Sequence, residues 1–368
     1  MNKPKLWTKD FLIITFVNLF FALNFYLLMV VISVFATDKF DSSPSIAGLA
    51  ASIFVIGSLI ARLFTGRWIE QIGRKKTLYL GLISGLAMTL LYFMANSIIS
   101  LLVIRFLHGA AFGITTTTAA TIIADIVPKE RRGEGIGYFA LSATMATAVG
   151  PFLGMFISRH GSFTMIFVSS AIAAAISLGI TLFLSVHKIK LTTEQLEGMK
   201  GFKLSNFFES RVIPISVVCL VIYFCYSSVL SFLSMYSRVI HLEAAASFFF
   251  VVYAVVVFFS RPLIGRLFDS KGENLIMYPA ILILMIGMVF LSQANYGYIL
   301  LLAGALIGLG FGGVQSVGQA LSIKVAPPHR IGLATSTFFM FVDIGVVFFA
   351  SRNSPLLQNI FPSAGGEN

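Results

Sequence analysis

Arg105, His108 and Asp343 stand inside long apolar runs of this 368-residue chain. Arg105 and His108 lie in the run 98–124, and Asp343 lies in the run 331–350. Charge in such surroundings is costly, so each is a functional candidate by default. Asp343 is the one carboxylate well inside its run. A carboxyl in a low dielectric can take up and release a proton; the structural alternative is a partner for an arginine or a helix terminus. Arg105, with His108 at i+3 and Phe112 at i+7, shares one helix face. The plainer role for Arg105 is to reach the headgroups with its long side chain.

The elements that carry these groups follow from composition. The chain is 57% hydrophobic and 11% charged, whereas a soluble domain carries roughly 25% charged residues. A net charge of +11 invites a nucleic-acid reading. The basic residues, however, sit in short clusters between apolar runs, as in a membrane topology, and no nucleic-acid partner is expected. Runs of about 20 apolar residues suffice to cross a bilayer. The pattern predicts eleven spans near 11–36, 45–66, 77–96, 98–124, 134–158, 161–186, 211–236, 243–264, 274–293, 297–323 and 331–350. Alternate connections hold most of the lysines and arginines, among them Arg67, Arg74, Lys129, Arg131, Lys188, Arg266 and Arg330. The opposite ones hold Lys39, Arg159 and Arg238. That asymmetry predicts a cytoplasmic N-terminus in a multi-pass protein of the cell membrane. Cys219 and Cys225 share one run and make no metal or disulfide pattern. No phosphate-binding glycine loop, metal cluster or nucleophile–base pattern is present, so neither an enzyme nor a cofactor is expected.

The chain also repeats itself. The segment from Arg62 to Gly73 recurs from Arg261 to Gly272, an offset of 199 residues. At that offset Gly109 and Gly113 return as Gly308 and Gly312, and Pro128, Arg131 and Gly133 as Pro327, Arg330 and Gly332. The matching basic loops fall on one side, so the repeat is parallel, with a working site expected between the halves.

Gly66, Arg67, Glu70, Gly73, Arg74, Lys75 and Lys76 form a pattern that resembles the loop between the second and third helices of the major facilitator superfamily. Its echo holds Gly265, Arg266 and Asp269; Glu70 and Gln71 replace the family's Asp and Arg. The resemblance implies an all-α polytopic fold of two parallel six-helix repeats, transporting a small-molecule substrate as a monomer. It implies a gate in which Glu70, Arg74, Asp125 and Arg131 exchange charge-assisted contacts. Arg105 to Gly109 is similar to the family's fourth-helix motif, which implies a part for Arg105 and His108, with Asp343, in coupling to protons. Gly150, Pro151 and Gly154 resemble a fifth-helix motif of drug:proton antiporters and tilt the expectation towards efflux. The helices that line the family's cavity carry Asn24 and Tyr26, then Tyr223, Tyr226 and Ser227, then Gln315 and Gln319. Each is a candidate substrate contact, although helix-packing contacts explain such residues equally well.

The expected units are a six-helix bundle at 1–186, a linker at 187–210, a five-helix bundle at 211–350 and a polar tail at 351–368. Near residue 347 the second copy departs from its pattern, with Val347, Phe349 and Ala350 where Gly, Gly and Pro are expected. A frame change or truncation, or a naturally short chain, accounts for the missing twelfth helix. The expected function is proton-coupled efflux of a small amphipathic or cationic compound. Uptake of a sugar or amino acid, or an inactive product, are the alternatives.

Overall fold

The computed structural model describes residues 4–186 and 203–352. Among the described residues eleven long helices follow one another: α1 (Lys9–Phe40), α2 (Pro44–Ile72), α3 (Arg74–Leu91), α4 (Ile98–Ile126), α5 (Arg132–His160), α6 (Phe163–Thr181), α7 (Ile213–Val239), α8 (Glu243–Lys271), α9 (Asn274–Ser292), α10 (Gly297–Val325) and α11 (Ile331–Arg352). Ten are long and apolar enough to cross a membrane. The eleventh has 22 residues, which at 1.5 Å per residue also reaches across the hydrocarbon layer. Several helices overrun the apolar runs, α1 by a few residues at each end, because capped polar turns finish them beyond the hydrocarbon. Most of the expected linker and the tail from 353 lie outside the described residues, as do the side chains of 347–352 where the repeat breaks.

Local chemistry sets the helix ends. The Thr8 hydroxyl accepts from the Phe11 amide at 3.2 Å, and Ser97 and Ser100 cap each other at the start of α4. Gly73 joins α2 to α3 at φ 91°, and its repeat partner Gly272 joins α8 to α9 at φ 86°. Only glycine enters that region without strain, so the loop pattern needs it in both copies.

The duplication is also visible in packing. A Cβ on Gly109 would stand 1.9 Å from the Phe54 carbonyl oxygen, so α4 and α2 touch backbone to backbone. In the other half Gly308 packs in the same way on Tyr253, the residue 199 positions after Phe54. Within the first half α1 packs on α5 and α6, and α3 on α4. Within the second, α10 packs on α8 and α9, and α7 on α11. The two halves meet along α2 against α11 and α5 against α8. Exposed side chains such as Leu80, Phe183, Val251 and Leu282 cover the outside, as lipid contact requires.

The Gly109 contact is directly measurable. Gly109→Ala should lower the thermal unfolding midpoint of the purified protein, since overpacking costs about 1–3 kcal/mol. Gly48→Ala, with nothing within 4 Å of the new methyl, should not lower it, since alanine favours the helix over glycine.

Candidate functional site between the two halves

Asp343, on α11, faces the other half. Its Oδ2 accepts from Arg62 Nε of α2 at 2.8 Å and from the Ser58 hydroxyl at 3.3 Å. Arg62 also donates to Thr117 Oγ1 at 3.0 Å and lies over the Phe339 ring at 4.7 Å. Arg62 stands ten residues before the end of α2, about 15 Å along the helix axis, and is 4% exposed. A buried ion pair therefore joins the halves at membrane depth.

Arg261 occupies the matching place in the second repeat and reaches back across the interface. Its Nη1 donates to the Ala140 carbonyl at 2.9 Å and to Thr144 Oγ1 at 2.7 Å, both on α5. Its Nη2 donates to Gln315 Oε1 of α10. Tyr26, Tyr223, Tyr226 and Tyr253 all lie within electrostatic range of this guanidinium. Tyr226 stacks on Phe311 with centroids 3.9 Å apart and on Tyr253 at 5.6 Å; Tyr223 meets Phe311 edge-on at 4.7 Å. Four expected contacts, Tyr26, Tyr223, Tyr226 and Gln315, thus lie on the side of Arg261, while the proton-coupling candidate Asp343 meets Arg62.

At the end that carries the basic loops, two carboxylates close the interface. Glu70 Oε1 accepts from the Gly332 amide at 2.8 Å. Asp269, its repeat partner, accepts from the Gly133 and Glu134 amides at 2.7 and 2.9 Å. Each caps the first turn of a helix in the opposite half, where free amides and the helix dipole favour an anion. Glycine makes this possible: a Cβ on Gly265 would sit 2.3 Å from the Gly133 carbonyl oxygen, and one on Gly66 2.8 Å from Ser336 Cβ. Beside these caps Arg74 pairs with Asp125 within the first half. Arg131 pairs with Glu134 at 2.8 Å, and Arg266 reaches the same carboxylate from the second half at 2.7 Å. Arg67 lies over the Phe207 ring. Of the expected gate, Arg74 and Asp125 pair with each other, Arg131 takes Glu134, and Glu70 is joined to a helix terminus. Outside the spans, Lys324 donates to Glu273 at 2.7 Å and holds that carboxyl below its usual range.

The remaining expected residues lie elsewhere. Arg105 is fully buried, so its side chain does not reach for the headgroups. Its Nε donates to the Ala50 carbonyl at 2.9 Å, and its guanidinium covers the Phe54 ring at 4.6 Å. His108 meets Tyr92 Oη at 3.2 Å. The pair ties α4 to α2 and to the end of α3 inside one half. Asn24 is equally enclosed and donates to Thr89 Oγ1 at 2.9 Å and the Ser170 carbonyl at 3.1 Å, away from the inter-half space. Gly150 and Gly154 seat α5 against Tyr26 and Leu27 of α1, and Pro151 lies between them inside α5. Gln319 is 6% exposed on α10.

Sequence reasoning passed over Arg62, Arg261, Glu134, Thr144 and Tyr253 as site residues. The signal was present for the two arginines, which open both copies of the repeated segment inside apolar runs. A family profile described as Major Facilitator Superfamily matches residues 14–350. The chain belongs to the major facilitator superfamily. This member is a multi-pass membrane transporter rather than an enzyme. It is 24% identical to Multidrug resistance protein 1 of Bacillus subtilis over 349 residues, 92% of this chain and 87% of that protein. With Multidrug resistance protein MdtG of Klebsiella pneumoniae it shares 25% over 307 residues, 82% and 74% of the two chains. A bacterial homologue of the iron transporter ferroportin, solved in an outward-facing state, superposes with a TM-score of 0.76 at 14% identity, covering 96% of this chain and 93% of that one. That likeness is one of fold.

The carboxylate caps generate a test. Hydrogen bonds to charged groups are worth roughly 1.5–3 kcal/mol, so losing both should open this end by about tenfold or more. A cysteine replacing Ser336, which lies enclosed against Gly66, is placed in a chain without Cys219 and Cys225. Glu70→Gln with Asp269→Asn should raise its labelling rate with a polar maleimide in detergent solution. An unchanged rate means that the caps do not hold the end shut.

Proposed function

We propose that this superfamily member is a proton-coupled exporter of a small amphipathic or cationic compound, working by alternating access as a monomer of the cell membrane. The two bundles, 1–186 and 211–350, act as the moving bodies. The Arg62–Asp343 pair carries the reading, because it couples a titratable group to the contact that joins the halves. With the N-terminus cytoplasmic, as the basic loops favour, the carboxylate-capped end is the cytoplasmic gate. The described conformation is then closed towards the cytoplasm.

The cycle follows from charge. Deprotonated Asp343 holds Arg62 across the interface and keeps that end shut. Removing one partner of a buried pair costs about 3–5 kcal/mol, enough to rebalance two conformations of similar energy. A proton arriving from outside neutralises Asp343, releases Arg62 and lets the cytoplasmic end open. Loss of that proton to the cytoplasm re-forms the pair around a newly bound substrate and turns the site outward. The likeness to the multidrug resistance proteins, and Gly150, Pro151 and Gly154 on α5, favour export over uptake.

Everted vesicles with an acidified lumen test this, using ethidium and fluorescein as dyes of opposite charge. The wild type should accumulate at least one dye at a rate that rises as luminal pH falls. Asp343→Asn should lose that dependence while dye still equilibrates down its own gradient. A variant with the wild-type pH profile would remove Asp343 from the coupling step.

A further inference from the structure

Arg62 and Arg261, the two membrane-depth arginines of the repeated segment, are equivalent by sequence but not by charge. Arg62 has Asp343 as its counter-ion. The residue 199 positions before Asp343 is Thr144, and Arg261 therefore meets a hydroxyl where Arg62 meets a carboxylate. Its other acceptors, the Ala140 carbonyl and the Gln315 amide oxygen, are also neutral. Its Nε has no hydrogen-bond partner among the described residues. Arg261 is 4% exposed, and a guanidinium stays charged in a protein. A buried cation left without an anion is costly, and such a cost persists where it serves a function.

What surrounds it indicates what completes it. On the same side of the interface Tyr226 stacks on Tyr253 and Phe311, and Tyr223 meets Phe311 edge-on; Tyr26, Tyr253 and Gln315 are only partly buried. From Thr144 outwards α5 and α8 separate into a crevice of about 220 Å³, lined by Met145, Val149, Val255, Phe258 and Phe259. These linings are apolar and exposed. One fixed positive charge is thus joined through Thr144 to an apolar crevice that opens on the exposed seam of α5 and α8.

We propose that Arg261 binds the anionic head of the substrate, and that the substrate class is an amphipathic organic anion: one carboxylate on an apolar body. The inference rests on reading the inter-half space as the transport site, and it narrows the amphipathic class of that reading to its anionic members. The carboxylate takes the place that Asp343 holds against Arg62. It accepts from the free Nε and from a guanidinium nitrogen now bound to a neutral acceptor. The apolar body lies against the tyrosines and extends along the α5–α8 crevice. A cationic compound of the same shape meets a like charge with no carboxylate to offset it.

Three probes with one body separate the charge classes: 4-phenylbutyrate, 4-phenylbutyramide and 4-phenylbutylamine. Binding of each to the purified chain is measured by titration calorimetry. The carboxylate should bind about tenfold or more tightly than the amide, and the amine more weakly still. Arg261→Gln should bring the carboxylate down to the level of the amide, and Arg261→Lys should keep part of the preference. Thr144→Asp supplies the missing counter-ion in place; it should raise the thermal midpoint and abolish carboxylate binding, which covers the case in which Arg261→Gln does not fold. Equal or tighter binding of the amine, a preference that survives both Arg261→Gln and Thr144→Asp, or binding of none of the three probes overturns the proposal. Failure of the underlying transport reading shows separately, as absence of pH-driven accumulation of either dye in vesicles.

Discussion

Arg62 and Asp343 meet 2.8 Å apart across two bundles that share no other ion pair at membrane depth among the described residues. Water cannot solvate either group there, so each needs the other, or a substitute, in every stable arrangement of the halves. That requirement links the chemistry of one carboxylate to the position of a whole bundle. The close approach of α2 to α11 at Gly66 and Ser336, and the cap of Glu70 on Gly332, are the geometry that lets the pair form.

The carboxylate caps obey the same economy in a different way. Glu70 and Asp269 gain no arginine across the interface; each is satisfied by amides that a helix start leaves free. Such a bond depends on the opposite half being in place, and it disappears as a unit when the halves separate. The ion pairs around Arg74 and Asp125 stay within one half and travel with it. The polar contacts that join the halves therefore form a distinct set, while glycine-mediated close packing occurs both inside each half and across the seams.

Duplication and its departures divide the labour. Where the copies agree, at Gly109 and Gly308 or Gly73 and Gly272, the residues build helix contacts and turns that both halves need. Where they differ, at Thr144 against Asp343, the difference falls on the inter-half surface and changes the charge of the site. A symmetric frame thus carries an asymmetric interior.

Much of the fold was legible in the sequence. Apolar runs of membrane length must become helices, because no other unit satisfies its own backbone in lipid, and the 199-residue offset defines the two halves. Asp343 was legible as a candidate because charge beside hydrocarbon is rare, and the loop carboxylates because their pattern resembles the family's loop motif. Which partner each one takes was not. Asn24 looked like a cavity residue and Arg105 like a proton-coupling one, yet helix rotation turns both into the first half. Arg62 and Arg261 stood out only as the first residues of the repeated segment, yet packing brings them to the interface of the halves. Periodicity and composition are properties of one segment at a time, so they determined the helices and their order. Contacts between residues more than a hundred positions apart depend on how those helices turn and cross, and only the tertiary structure decided them.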